Sequence, residues 1–184
     1  MTTFFTSDIH FGHKNIITFC NRPFADVHVM NSAIITDWNK KVSHDDEVYL
    51  LGDISFASVN KTIELLEQLN GTIHLIVGNH DKHLLKSDKF KSRFANVCNY
   101  HEFEHNGITI CLSHYPMTNW YNQRKGGWML HGHTHGTMKH VVTAGNKIMD
   151  VGYDTGHFLY SYADIEDCFQ KEIQINGGKS ICPL

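Results

Sequence analysis

Five short stretches carry side chains of the kind that bind metal ions or move protons. They are Asp8-Ile9-His10, Gly52-Asp53, Gly78-Asn79-His80-Asp81, Ser113-His114 and Gly132-His133-Thr134-His135. Each follows a β-prone apolar run, namely Thr3 to Ser7, Val48 to Leu51, Thr72 to Val77, Ile108 to Ser113 and Trp128 to Leu130. A buried strand has little packing reason to end in Gly-Asn-His-Asp. Ligand sites in α/β sheets lie beyond the carboxyl ends of the strands, so five such ends imply one crevice. Strand side chains alternate, so Asp8 and His10 are expected to point the same way, as are His133 and His135.

The set mixes carboxylate, imidazole and one amide carbonyl, without a thiolate. Ligands of that kind suit Mn, Fe, Co, Ni or Zn, and not Ca or Mg alone. Seven good ligands are too many for one tetrahedral site and suit two ions that share a carboxylate. Two ions about 3.5–4 Å apart form a clamp for in-line displacement at phosphorus. Taken singly, Gly-Asp, Asp-x-His and Ser-His-Tyr-Pro are commonplace. Gly-Asn-His-Asp and Gly-His-Thr-His are more specific, and five motifs in this order leave packing alone a poor explanation.

The elements that must hold these ends can be read from periodicity. Val27, Met30, Ile34 and Trp38 recur at helical spacing after Asp26, which predicts a capped helix from Asp26 to Val42. Ser58 starts a second helix, with Ile63, Leu66 and Leu69 inward, and Asn70-Gly71 stops it. Val97 to Glu104 and Ile108 to Ser113 read as a hairpin around Asn106-Gly107. Lys147 to Val151 reads as a strand, Ser161 to Phe169 as a capped helix, Glu172 to Ile175 as a last strand and 176–184 as a loose tail. Strands alternating with helices, then a hairpin, predict α/β with mixed sheets.

Composition excludes several classes. The 184 residues fit one domain, 1–184, with a real core. The net charge is −3, and the Lys82 to Arg93 cluster is diluted by apolar residues, so no extended nucleic-acid surface is indicated. Fifteen histidines are the compositional anomaly. Five scattered cysteines argue against a disulfide framework or a cysteine zinc site and point to a reducing compartment. The N-terminus has no basic region of a leader, and no run approaches a membrane span. A soluble cytoplasmic protein with no membrane partner is expected.

The five motifs, in this order, resemble the signature of the calcineurin-like metallophosphoesterase superfamily, over about residues 4 to 152. The resemblance implies a four-layer α/β/β/α sandwich with two mixed sheets and a dinuclear site at one edge. It implies Asp8, His10 and His135 as ligands of one ion, Asn79, His114 and His133 as ligands of the other, and Asp53 as the bridge. His80 resembles the family histidine that contacts the phosphate and is proposed to protonate the leaving oxygen. Two divalent cations, manganese foremost, are the implied cofactors. The chemistry agrees, because a hydroxide held between two such ions is a nucleophile at neutral pH. Histidine is the side chain most often used as such a general acid.

The departures narrow the expectation. Gly52-Asp53 runs into Ile54-Ser55-Phe56, and Asp81 stands where protein phosphatases of the superfamily have glutamate, so a phosphoprotein substrate is not implied. Eighteen residues separate His114 from His133, too few for a large cap, as in the small stand-alone bacterial and phage branch. Asp150-Val151-Gly152 stands where many small members read Asn-Val-Gly, and a structural role is expected. His13, Asn15 and Arg22 are further candidates for substrate binding. Arg22 is read either as a phosphate fork or as the partner of an acidic residue. Asp81 is expected to cap the turn that follows it. The expected function is a dinuclear-metal phosphodiesterase on a small nucleotide-like or nucleic-acid-end substrate. The alternatives are a phosphomonoesterase, a non-catalytic binding scaffold and a structural metalloprotein.

Overall fold

Alternation along the strands sorts the apolar side chains into layers. In the computed structural model, which describes residues 1–138 and 146–175 with side chains to residue 171, strands β1 (Thr3–Thr6), β2 (Glu47–Leu50) and β3 (Thr72–Ile76) lie parallel, with Phe5, Tyr49 and His74 in register. Strand β4 (Asn96–Cys98) extends this sheet beyond β3. Strand β9 (Tyr160–Ser161) runs antiparallel on the outer side of β1. The second sheet is β5 (Tyr100–His105), β6 (Ile108–Ser113), β7 (Trp128–His131) and β8 (Lys147–Asp150), in that spatial order, with only β5 antiparallel.

One face of the first sheet, with Phe4, Val48, Leu50, Ile73 and Leu75, packs on helices α2 (Val27–Lys41) and α3 (Val59–Leu66) through Met30, Ile34, Trp38 and Ile63. The alternate residues Phe5, Tyr49, Leu51 and Ile76 meet Ile110, Leu112, Trp128 and Leu130 of the second sheet. The outer face of that sheet, Cys111, Met129 and Ile148, lies under Met117, Trp120 and Met138. The fold is thus mixed α/β with two mixed sheets, as the motif order implied. Among the described residues no helix is long and apolar enough to cross a membrane.

The helix starts follow capping chemistry. Asp26 accepts from the N–H groups of His28 and Val29, and Ser58 from that of Lys61. Helix α5 (Tyr162–Ile175) begins with a reciprocal box: Asp164 accepts from the Ser161 N–H and Ser161 Oγ from that of Asp164. Two expectations need correction. Val97 to Glu104 is not one strand, because the chain passes from the first sheet to the second between Cys98 and Tyr100. The hairpin turn stands, with Asn106 and Gly107 at φ 50° and 77°. Glu172 to Ile175 is not a strand but the end of α5. The two-residue strand β9 escaped the reading because it is too short to show a period. The tail 176–184 lies outside the described residues.

Candidate metal centre

The carboxyl ends of β1, β2, β3, β6 and β7 bring the five motifs together. The loops continue the strand pairing: the Asp8 N–H donates to Gly52 O at 3.0 Å and the His10 N–H to Asp53 O at 3.1 Å. Gly132 is required by close approach, because a Cβ there would overlap Ser7 Oγ and Asp8 Oδ2. A Cβ on Gly78 would likewise overlap Asp53.

Asp8 and His10 do converge, but not by strand alternation. Both have left-handed φ, 56° and 54°, as do Asp53 (54°), His133 (68°) and His135 (47°). Backbone held in that region by non-glycine residues stores about 1–3 kcal/mol each and collects at functional sites. Here it turns five side chains toward one place.

They form two groups. The first is Asp8, His10 and His135, and the second is Asp53, His114 and His133; within each group the ligand atoms lie within 4.8 Å of one another. Asp53 faces both, with Oδ2 at 3.8 Å from His10 Nε2 and Oδ1 at 3.6 Å from His114 Nε2. Asn79 Oδ1 lies 2.8 Å from His114 Nε2. His80 stands beside them, with Nε2 at 3.8 Å from Asp53 Oδ2, its side chain 46% exposed and its N–H donating to Asp53 Oδ1.

The polar atoms are those of a site made for cations. Asp8 Oδ1 and His10 Nε2 are buried without a hydrogen-bond partner. Leaving such groups unpaired costs about 1–3 kcal/mol each, more for a charge. In the second group, His114 Nδ1 lies 2.7 Å from Leu51 O, which fixes the proton of the neutral ring there. Nε2 is then a lone pair facing the Asn79 and Asp53 oxygens. Three acceptors aimed at one point need a positive charge between them. The donor set therefore fits divalent metal ions.

The surroundings tune these groups. Burial raises the Asp8 carboxyl, but His10, His114 and His135 together hold it below its ordinary value. Burial, then the neighbouring His114, depresses His133. Burial also depresses His135, but Asp154 outweighs it and the ring is raised overall. Burial raises Asp154, but His135 and Arg22 bring it down to about 2.

Asp154 is the residue that sequence reasoning missed. Its Oδ2 lies 2.7 Å from His135 Nδ1, and Arg22 donates to both its oxygens, at 2.7 and 2.8 Å. A carboxylate behind a ligating histidine fixes the tautomer and aims the other nitrogen at the metal. The signal was present: Val151-Gly152-Tyr153-Asp154 follows β8 in the same strand-glycine-carboxylate pattern as Gly52-Asp53.

Arg22 is therefore not a phosphate fork. Its side chain is buried, and its remaining N–H groups go to Ile9 O, Asp8 O and Met30 Sδ, so all five donors are engaged within the protein. The acidic-partner alternative is the one realised. Asp81 does not cap the following turn. It is fully buried and accepts from the N–H groups of Asp53, Ile54 and Gly78, tying two motif loops together. Burial keeps its carboxyl above the ordinary range. Asp150 is structural, accepting from Thr134 Oγ1 and the Gly136 and Gly152 N–H groups. His13 lies at the site, with its ring stacked 3.8 Å from Phe56 and depressed to about 4, first by burial and then by His10. Asn15 is exposed inside helix α1 (Lys14–Phe19), one residue past its start, and does not cap it.

An alignment with the gene 66 protein of Mycobacterium phage L5 gives 31% identity over 195 residues, 90% of this chain and 92% of that one. The chain belongs to the phage gene 66 family. An uncharacterized protein of Methanocaldococcus jannaschii is 43% identical over 131 residues, which make up 70% of this chain; the chain spans 66% of that relative's length. No family model matches. The crystal structure of a protein of unknown function from Aquifex aeolicus superposes with a TM-score of 0.68 at 26% identity, covering 90% of this chain and 98% of that one. The gene 66 family thus shares its fold with a solved structure. Looser overlaps include a structure described as an archaeal phosphodiesterase, with a TM-score of 0.48 at 18% identity over 83% of this chain and 84% of that one.

Proposed function

We propose that the protein is a metal-dependent phosphoesterase of the calcineurin-like superfamily, acting on a phosphodiester of nucleotide-like size. The observation that carries this reading is the placement of two ligand groups on the two oxygens of Asp53, with the non-ligand His80 beside the same carboxylate. Two divalent ions bound there, manganese foremost, would lower the pKa of water and neutralise charge on a phosphoryl group. The protein supplies the rest. His114 is held in one tautomer by Leu51 O, and His135 by Asp154. His80, half-exposed and outside the two ligand groups, would donate a proton to the departing ester oxygen in this reading. A closed structural metal site would have no use for such a histidine.

The test uses protein loaded with Mn²⁺ and two substrates, bis-p-nitrophenyl phosphate and p-nitrophenyl phosphate. Hydrolysis of the diester, slowed at least about a hundredfold by His80→Ala with metal content unchanged, supports the reading. Faster turnover of the monoester moves the assignment to a phosphomonoesterase. Bound metal with no turnover of either substrate sinks the enzyme.

A further inference from the structure

A cleft of about 760 Å³ runs beside the first ligand group, lined by Ile16 and Phe19 of α1, by Thr134 and Thr137 of the loop after β7, and by His133 and His135. Phe19 is 74% exposed at the end of α1. Among the described residues its ring contact is an edge to His13 at 6.3 Å. Neither the core nor the helix accounts for it, since a polar residue would serve an exposed last turn as well. The other exposed rings near the site, Phe56 and Tyr115, do not line this cleft. Phe56 has His13 stacked 3.8 Å away and His80 at 4.6 Å, and Tyr115 packs edge-on to His133 at 4.6 Å. Among the described residues Phe19 is the phenyl ring that lines the cleft.

We propose that this cleft seats a flat aromatic group, a nucleobase foremost, on the part of a phosphodiester that keeps the phosphate. The proposal rests on the phosphoesterase reading and adds the substrate's organic half. Three observations carry it. The cleft is continuous with the candidate metal centre through His133 and His135, so a group in it can be joined to a phosphate there. His80 does not line the cleft, and the rings run Phe19, His13, Phe56, His80. The group leaving beside His80 and the group in the cleft are then different substituents of one phosphorus, which makes the ester a diester. Among the described residues no lysine or arginine lines the cleft, and the one carboxylate there, Asp154, is paired with buried Arg22. A second phosphate or a polynucleotide backbone has no counter-charge there, whereas a neutral base needs only a ring to stack on and polar edges to meet. Asn21, held at φ 49°, and the threonines supply those edges.

The experiment is calorimetric binding of adenosine 5′-monophosphate and ribose 5-phosphate to the Mn²⁺-loaded protein. The nucleotide is expected to bind about tenfold more tightly, the size of one base–aromatic stack. Phe19→Ala should erase that preference and leave ribose 5-phosphate unchanged. Phe19→Trp should keep it, with added tryptophan emission quenched by the nucleotide and not by the sugar phosphate. Equal affinities in the unsubstituted protein, or a preference that survives Phe19→Ala, overturn the assignment of the cleft while leaving ester hydrolysis intact. If neither phosphate binds and no ester is hydrolysed, the phosphoesterase reading fails and this one with it.

Discussion

The two ligand groups share Asp53 but are built differently. Asp8 and His10 of the first are 0% and 2% exposed, and His135 is braced by charge through Asp154 to buried Arg22. In the second, Asp53 and His114 are as deeply buried, at 2% and 1%, but His114 is braced by a backbone carbonyl, Asp53 accepts from a backbone N–H, and the third member, His133, is exposed. The contrast separates depth from strength. The second group, open at His133, would leave a bound cation nearer to solvent and substrate than the first, whose His135 is braced by Asp154. A chelator should therefore remove metal in two phases, the open group emptying first.

Substitutions can break this contrast in order of effect. Asp53→Asn touches both groups, and both ions and all ester hydrolysis should be lost together, read by metal analysis and assay. Arg22→Met removes the guanidinium from buried Asp154, leaving it only His135 of its two partners, and should cost about 3–5 kcal/mol in denaturant unfolding. Asp154→Asn spares most of the packing but releases the His135 tautomer. It should weaken one of the two ions by about 10–100-fold and leave the other unchanged. Asp81→Asn ties the Asp53 and Gly78 loops less well and should cost about 1–3 kcal/mol, with the open group loosened more than the buried one. His133→Ala lies on the surface and should change stability by no more than about 0.5 kcal/mol while making the faster chelation phase faster still.

What could be read from sequence was what short-range chemistry decides. Asp26 and Ser58 announce their helices because a side-chain acceptor must meet free N–H groups. Gly78-Asn79-His80-Asp81 announces a site because no core needs such polarity at a strand end. What escaped depends on distant partners. Arg22 and Asp154 are 132 residues apart, so a phosphate fork and a buried brace look alike until the fold pairs them. Asp81 sits in the right motif, but its three donors come partly from another loop, which its own segment cannot disclose. Asp8 and His10 were expected together for the wrong reason, since left-handed backbone rather than strand pleat turns them inward. The crossing between Cys98 and Tyr100 escaped for a related reason, because two strands in different sheets share one continuous β-prone run.

The most direct test of the paired centre is an anomalous-difference map from crystals of the Mn²⁺-loaded protein, collected at the manganese edge. Two peaks should appear, one against each oxygen of Asp53, the first reached by Asp8, His10 and His135 and the second by Asn79, His114 and His133. A single peak, or peaks away from Asp53, would contradict the account.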